Sequence, residues 1–265
     1  MANAAAFFDL DRTLISGASA FPFGVEAWRQ GLASPGDIAR WTFAALSFLI
    51  TGDKGEGSTV DLRSEFLTRI KGSRVADLDM IGQAVLPRLV ARVRPEARKL
   101  ITMHHEAGRD TWIVSASPQR IVEPLAASLG MSGAIGTEGR VVDGRFTGEL
   151  QGPFIYGPGK AQAIEKLAAD RGYDLNLSYA YSDSMSDLPM MEAVGHPVAV
   201  NPDSELDNLA HERGWPVVIF ARKTKRVVAF SSVGVISAGA AAVAYALGRR
   251  HGRMSALADV SKANL

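Results

Sequence analysis

The sequence contains no cysteine among its 265 residues. That absence excludes disulfide bonds, thiolate-ligated metal sites and cysteine nucleophiles. The chain also has almost no net charge, since 29 basic side chains face 28 acidic ones, so no overall field favours nucleic acid as a partner. No basic residue precedes the short apolar stretch at the N-terminus, and this pattern does not predict a signal peptide.

Composition is otherwise ordinary, with 47% apolar and 22% charged residues and no internal repeat. A chain of this size and apolar content can bury a substantial core. Its length suits one large domain, or one domain that carries an inserted module.

Short apolar runs alternate with helical patterns through most of the chain. The first run, Ala4–Phe8, is short and ends at acidic residues, which is typical of a buried strand in a parallel sheet. After residue 93 we predict strands at Thr111–Val114, Leu177–Tyr181, Pro197–Val200 and Val217–Phe220, with helices between them. This alternation predicts an α/β fold, an open Rossmann-like parallel sheet covered by helices on both faces.

Residues 18–92 show a different pattern, in which helical periods are separated by a glycine-rich loop and no strand is predicted. We therefore expect an all-helical module inserted between two parts of a catalytic core, residues 1–17 and 93–220. Further along, Asp143–Gly144 predicts the turn of a small hairpin.

Several polar residues fall where predicted strands end or where a predicted helix begins. They are Asp9, Asp11, Thr13, Ser115, Lys160, Asp183 and Asp187. The carboxyl ends of parallel strands are where such folds gather their functional groups. Phosphoryl transfer needs a nucleophile, an acid for the leaving oxygen, a cation that neutralises the phosphoryl oxygens, and ligands for a metal ion. This set of residues includes candidates for all four roles.

Each residue also has an ordinary structural explanation when taken alone. An Asp-x-Asp pair is commonly a turn, Ser115 could cap a helix, and Lys160 could be a solvated lysine. Asp183 and Asp187 could cap the helix that begins at Leu188. The functional interpretation depends on the joint order and spacing of the set, not on any single member.

Four segments resemble, in order, the motifs of the haloacid dehalogenase (HAD) superfamily. They are FFDLDRTLI at Phe7–Ile15, IVSASP at Ile113–Pro118, GPGKA at Gly157–Ala161 and YSDSMSDLPMM at Tyr181–Met191. The resemblance extends over residues 5–220. The helical insert after the first motif resembles the cap of subfamily IB, the phosphoserine-phosphatase-like branch.

The resemblance implies a role for each matching residue. Asp9 would be the nucleophile and a Mg²⁺ ligand, and Asp11 would be the general acid and base and a ligand through its backbone carbonyl. The remaining roles are support of the loop by Thr13, phosphate binding by Ser115, the Ala116 backbone and Lys160, direct Mg²⁺ ligation by Asp183, and water-mediated or orienting support by Asp187. A carboxylate at Asp11 is typical of the phosphatases of the superfamily.

The sequence departs from the pattern of phosphoserine phosphatases at two places, and the first of them affects the expected substrate. Phosphoserine phosphatases carry an acidic residue where this chain has Ala18, and a methyl group cannot pair the substrate ammonium. Their cap arginine could correspond to Arg63, although a solvated arginine on a cap helix is the slightly favoured alternative. In the fourth motif, Ser182 and Ser186 replace the usual Gly and Asn, while both carboxylates remain.

Residues 227–247 form an uncharged run long enough to cross a bilayer as a helix. Basic residues flank both ends, and a small residue recurs every fourth position from Gly234 to Ala246, where a second helix could pack in a homodimer. The alternative is a helix packed on the protein or on a partner. We expect a tail anchor that holds the catalytic domain at the cytoplasmic face of the membrane.

The sequence thus predicts a Mg²⁺-dependent phosphomonoester hydrolase that acts on a small or lipid phosphate through an aspartyl-phosphate. Three alternatives stay open at this point. The first is a phosphoserine phosphatase proper, the second is a phosphotransferase or phosphonate-type hydrolase on the same scaffold, and the third is a catalytically weak, membrane-tethered binding module.

Overall fold

The computed structural model describes residues 3–29, 31, 67–68 and 70–220. Three expectations lie outside these residues: the role of Arg63, the middle of the helical insert, and the C-terminal helix at 227–247. Within the described part of the chain, no helix is both long and apolar enough to span a membrane.

The strands follow one another along the chain as β1 (Ala5–Phe8), β2 (Asp110–Pro118), β3 (Gly133–Thr137), β4 (Gly139–Val142), β5 (Arg145–Leu150), β6 (Tyr179–Ser182), β7 (His196–Val200) and β8 (Val217–Val218). Six of them form a parallel sheet in the order β3-β2-β1-β6-β7-β8, and β4 and β5 form a separate antiparallel hairpin. The predicted parallel sheet is confirmed. Because β1 lies between β2 and β6, strand order reverses there, and such a reversal opens a crevice at the carboxyl ends of the strands.

The helices are α1 (Ala20–Arg29), α2 (Val75–Arg92), α3 (Pro95–Glu106), α4 (Gln119–Ser128), α5 (Pro158–Arg171), α6 (Leu188–Glu192) and α7 (Ser204–Arg213). Apolar side chains from α2, α3 and α4 pack on one face of the sheet, and those from α5, α6 and α7 pack on the other. The expectation of helices on both faces is therefore confirmed.

Strand β1 is buried on both faces of the sheet, which explains why its sequence is a continuous apolar run. Ala6 and Phe8 enter the core on one face, whereas Ala5 and Phe7 enter the core on the other. All four side chains are at most 1% exposed. A strand buried on both faces has no position for a polar residue until it ends, which is where Asp9 stands.

Helix α7 was not expected from the sequence. Asp203 caps its N-terminus, since the Asp203 side chain accepts a hydrogen bond from the Leu206 N–H at 2.8 Å. Gly214 ends it in the left-handed conformation, with φ of 66°. These cap residues were the signal that sequence reasoning missed. The last strand is also shorter than predicted, because it ends at Val218 and does not reach Phe220.

The hairpin turn at Asp143–Gly144 is confirmed, with φ of 49° and 74° at its two central residues. The hairpin also pairs with the segment that leads into α2. Hydrogen bonds join Gly72 N–H to the Phe146 carbonyl at 2.8 Å and Phe146 N–H to the Ser73 carbonyl at 3.0 Å. The Gly72–Ser73 segment within the insert is thus tied to this hairpin, a contact that helical periodicity cannot reveal.

The described ends of the insert are helices α1 and α2, and the chain segments beside them are joined. Ser16 N–H donates to the Arg92 carbonyl at 2.9 Å, and Arg94 N–H donates to the Leu14 carbonyl at 2.9 Å. The segments that precede α1 and follow α2 therefore form a short two-stranded connection.

Candidate active site

Lys160 lies at the centre of the candidate site. Its Nζ donates to Asp9 Oδ1 at 2.6 Å and to Asp187 Oδ2 at 2.8 Å, and its side chain is only 4% exposed. The solvated-lysine alternative is therefore wrong for Lys160. Its position follows from the first turn of α5, where Gly159 passes so close to Phe154 that an added Cβ would lie 1.9 Å from the Phe154 carbonyl oxygen.

Asp187 does not cap the helix that follows it. Its carboxylate Oδ2 accepts hydrogen bonds from Lys160 and, at 2.7 Å, from the Ser182 hydroxyl. Its side chain makes no capping hydrogen bond to α6. Ser182, one of the two departures in the fourth motif, thus orients the carboxylate that holds Lys160.

Asp183 follows directly on β6 and is almost completely buried. Its Oδ1 accepts a long hydrogen bond of 3.4 Å from the Thr13 hydroxyl. Its Oδ2 lies 2.8 Å from Arg12 Nε, but the two are not aligned as a hydrogen bond, and Oδ2 has no hydrogen-bond partner among the described residues. A buried carboxylate oxygen in this state can accept a cation.

Burial shifts the pKa values of the ionisable groups in the site. Burial raises the pKa of Asp9 to about 7, against the lowering effect of Lys160. Burial, together with the charge of Asp9, raises the pKa of Asp183 to about 8. Burial alone would lower the pKa of Lys160, but Asp187 and Asp9 outweigh it and keep the ammonium charged. Burial therefore disfavours the ionised form of Asp9 and Asp183 unless a further cation is bound beside them.

These observations fit a Mg²⁺ site. Mg²⁺ prefers carboxylate and carbonyl oxygens and keeps several waters, so it needs few protein ligands. No three acidic or histidine side chains in the described ranges converge as a complete metal cage. Asp9 and Asp183 supply two buried carboxylates, and Asp183 Oδ2 accepts no hydrogen bond from the described residues, so this donor set fits an ion of this kind.

Asp11 is turned towards the start of the insert. Its Oδ1 accepts from the Ser19 N–H at 2.6 Å, and its Oδ2 accepts from the Ser19 hydroxyl at 3.1 Å. Removal from water raises the pKa of Asp11, and the two bonds from Ser19 oppose that rise. Ser19 is a polar residue of the site that sequence reasoning missed, because nothing in its local pattern distinguishes it from a surface serine.

Ser115 lies on β2 two residues beyond the last β1–β2 pair, Phe8–Ile113. It is 3% exposed, and its hydroxyl accepts from the Ser117 N–H at 3.2 Å. The Ser117 hydroxyl in turn lies 3.0 Å from that of Ser19. Hydrogen bonds thus connect Ser115 through Ser117 with Ser19, near the start of the insert, and through Ser19 with Asp11.

We expect Ser19→Ala to lower kcat about tenfold, since it removes the hydroxyl that bonds to Asp11 Oδ2 and lets the Asp11 side chain rotate. Ser19→Thr should restore most of the rate, because it keeps the hydroxyl. Ser117→Ala, which affects Asp11 only through Ser19, should have a smaller effect. Steady-state kinetics of the three variants give the kcat values that test this prediction. An unchanged kcat in Ser19→Ala would show that Ser19 does not orient Asp11.

Comparison with known proteins gives a consistent result. Residues 6–192 match the family model for haloacid dehalogenase-like hydrolases. A phosphoserine phosphatase of Mycobacterium tuberculosis is 38% identical over 251 residues, which cover 94% of this chain and 82% of that protein. A histidinol-phosphatase of Neisseria meningitidis is 33% identical over 226 residues, which cover 81% of this chain and 98% of that protein.

A solved structure of similar fold comes from Bordetella pertussis and carries no functional description. It is 27% identical, has a TM-score of 0.69, and the match covers 82% of this chain and 99% of that one. The likeness includes almost the whole of the other protein.

Proposed function

This chain belongs to the haloacid dehalogenase-like hydrolase family and is a phosphatase of that family, and we propose that it hydrolyses phosphomonoesters with Mg²⁺ through a phosphorylated Asp9. The observation that supports this most directly is the buried ammonium of Lys160, 2.6 Å from Asp9 and 2.8 Å from Asp187. A fixed cation at this point can neutralise the attacking carboxylate and the incoming phosphoryl group without reorganisation.

In the first half-reaction, a carboxylate oxygen of Asp9 attacks phosphorus. The bond between phosphorus and the ester oxygen breaks, and the Asp11 carboxyl group gives its proton to that oxygen as the alcohol leaves. The raised pKa of Asp11 suits a group that must be protonated at this moment. Asp9 then carries the phosphoryl group as a mixed anhydride.

In the second half-reaction, the Asp11 carboxylate takes a proton from water, and the water oxygen attacks phosphorus. The bond between phosphorus and the Asp9 oxygen breaks, which releases inorganic phosphate and restores both carboxyl groups to their starting states. Mg²⁺, held by the Asp9 and Asp183 carboxylates and the Asp11 backbone carbonyl, would offset negative charge on the phosphoryl oxygens.

Other residues of the set bind phosphate or support those that react. We assign phosphate binding to the Ser115 hydroxyl, the Ala116 backbone and Lys160. Thr13 supports the loop after Asp9 through its bond to Asp183, and Asp187 orients Lys160. Each assignment uses a hydrogen-bond donor or charge of the type that phosphate recognition requires.

The substrate is a small phosphate or a lipid phosphate in this proposal. The names of two relatives refer to phosphoserine and histidinol, whose phosphate esters both carry an amine on the carbon next to the ester carbon. Ala18 lacks the acidic group that would pair such an amine. A lipid phosphate would agree with attachment of residues 227–247 to the cytoplasmic membrane face, which the sequence alone supports.

A substrate panel with Mg²⁺ tests the proposal. It should contain O-phosphoserine, histidinol phosphate, sugar phosphates and, in phospholipid vesicles, a lysophospholipid-type phosphate, with released phosphate as the measurement. We expect hydrolysis of at least one ester at a rate that is lost on chelation of the metal. In the vesicle samples, flotation of the full chain reports membrane attachment. Absence of hydrolysis throughout the panel would favour the binding-module alternative.

A further inference from the structure

Arg12, which directly follows the catalytic residue Asp11, has an unusual backbone conformation. Its φ is 63°, in the left-handed region that most side chains avoid, and Asp143 and Asn201 are the other non-glycine residues with positive φ in the described ranges. Loop hydrogen bonds hold this conformation, among them Arg12 N–H to the Gly17 carbonyl at 3.1 Å. Backbone strain that persists in a loop beside a catalytic residue is often associated with a functional role of that loop.

The Arg12 side chain contacts the carboxylate that we assign to the metal. Arg12 Nε lies 2.8 Å from Asp183 Oδ2, while the Arg12 side chain is 33% exposed and that of Asp183 is 5% exposed. The contact is an ion pair without hydrogen-bond alignment, since Oδ2 has no hydrogen-bond partner among the residues described. An unaligned pair with one partially exposed member can separate readily.

Lys160 does not serve Asp183 in the same way. Its ammonium is held by Asp9 and Asp187 through two short hydrogen bonds and is buried with them. Of these two cations, Arg12 is therefore the one that lies against the free oxygen of Asp183. It is also the one that can withdraw into solvent.

A divalent cation bound directly to Asp183 Oδ2 would lie close to the guanidinium at its present position. Two cations at such a separation repel each other strongly in a buried site. We propose that Arg12 is a counter-ion that competes with Mg²⁺ for Asp183: its guanidinium lies against Asp183 Oδ2 when no metal is bound and thereby lowers the affinity for the metal. This inference rests on the proposed function, because it takes Asp183 as a metal ligand.

Calorimetric titration of the full chain with MgCl₂ tests the proposal at constant pH. Arg12→Asn is the main variant, because asparagine is neutral, too short to reach Asp183 and tolerant of positive φ. Arg12→Gln is a second neutral variant, should the first fail to fold. We expect both to bind Mg²⁺ three- to tenfold more tightly than the wild type, and Arg12→Lys, which keeps the charge, to stay within about twofold.

Arg140→Gln is the matched control. Arg140 pairs with Glu149 at 2.9 Å on the surface of the hairpin, so this change removes an arginine from an ion pair away from the site. Its Mg²⁺ affinity should equal that of the wild type. Neutral Arg12 variants that bind Mg²⁺ as the wild type does, or more weakly, would overturn the competition.

Asp183→Asn separates failure of this inference from failure of the proposed function. If the wild type binds Mg²⁺ and Asp183→Asn does not, Asp183 is supported as a metal ligand. The Arg12 variants then test the competition independently of the proposed function. If Asp183→Asn binds Mg²⁺ as the wild type does, or if the wild type binds none, the proposed metal site is wrong and the inference is overturned with it.

Discussion

Asp9→Asn is expected to reduce kcat for phosphate ester hydrolysis by a factor of about 10³ or more, because the neutral amide cannot attack phosphorus. The same variant should not lose stability in the metal-free state. Burial raises the pKa of Asp9 to about 7, so the ionised carboxylate is a destabilising group above that pH, and asparagine removes its charge. Loss of activity without loss of fold is the distinguishing result.

Two measurements check the prediction on the full chain. Initial rates with an aryl phosphate and Mg²⁺ give the loss of activity, and thermal unfolding in the presence of a chelator gives the stability at pH 8. In addition, the wild type quenched in acid during turnover should carry the mass of one phosphoryl group, and Asp9→Asn should not.

Asp79→Asn is the matched control for Asp9→Asn. Asp79 lies near the start of α2 and makes an exposed ion pair with Arg120 at 2.9 Å. It should keep wild-type activity, because exposed pairs contribute little and the residue has no assigned role. If Asp9→Asn keeps more than a tenth of the wild-type rate, Asp9 is not the nucleophile.

Lys160→Met should have the second-largest effect, and it should impair both stability and activity. Methionine leaves the Asp9 and Asp187 carboxylates buried without their shared cation, and breaking a buried pair in this way costs about 3–5 kcal/mol of unfolding free energy. Loss of charge neutralisation should also lower kcat at least about a hundredfold. Urea unfolding and steady-state kinetics measure the two effects.

The same helix offers a control and a test of the cause. Lys166 pairs with Asp170 at 2.7 Å but is 78% exposed, so Lys166→Met should leave both quantities nearly unchanged. Addition of Asp187→Asn to Lys160→Met should recover part of the stability, since it removes one of the two unpaired charges, but none of the activity. A double variant no more stable than Lys160→Met would contradict the unpaired-charge explanation.

Much of the fold could be predicted because buried segments have a recognisable pattern of apolar residues in the local sequence. A strand buried on both faces must be apolar throughout, and β1 is. The positions at which apolar runs end also identify where polar groups meet, since parallel strands end on one edge of the sheet. Helix α7 and the contact of Gly72–Ser73 with the hairpin were not predicted, because they depend on caps or on pairing with a distant part of the chain.

The chain's own order of residues determined the candidate set of Asp9, Asp11, Ser115, Lys160, Asp183 and Asp187, because each stands at a strand end or helix start that hydrophobic periodicity marks. Only the tertiary structure decided what each side chain contacts. It joined Lys160 to Asp9 across 151 positions of sequence, turned Asp187 away from its helix, and set Ser19 against Asp11 and Arg12 against Asp183. Ser19 and Arg12 have no periodicity of their own to reveal them, because contacts between side chains depend on loop conformation and strand register, which are properties of the whole packed chain.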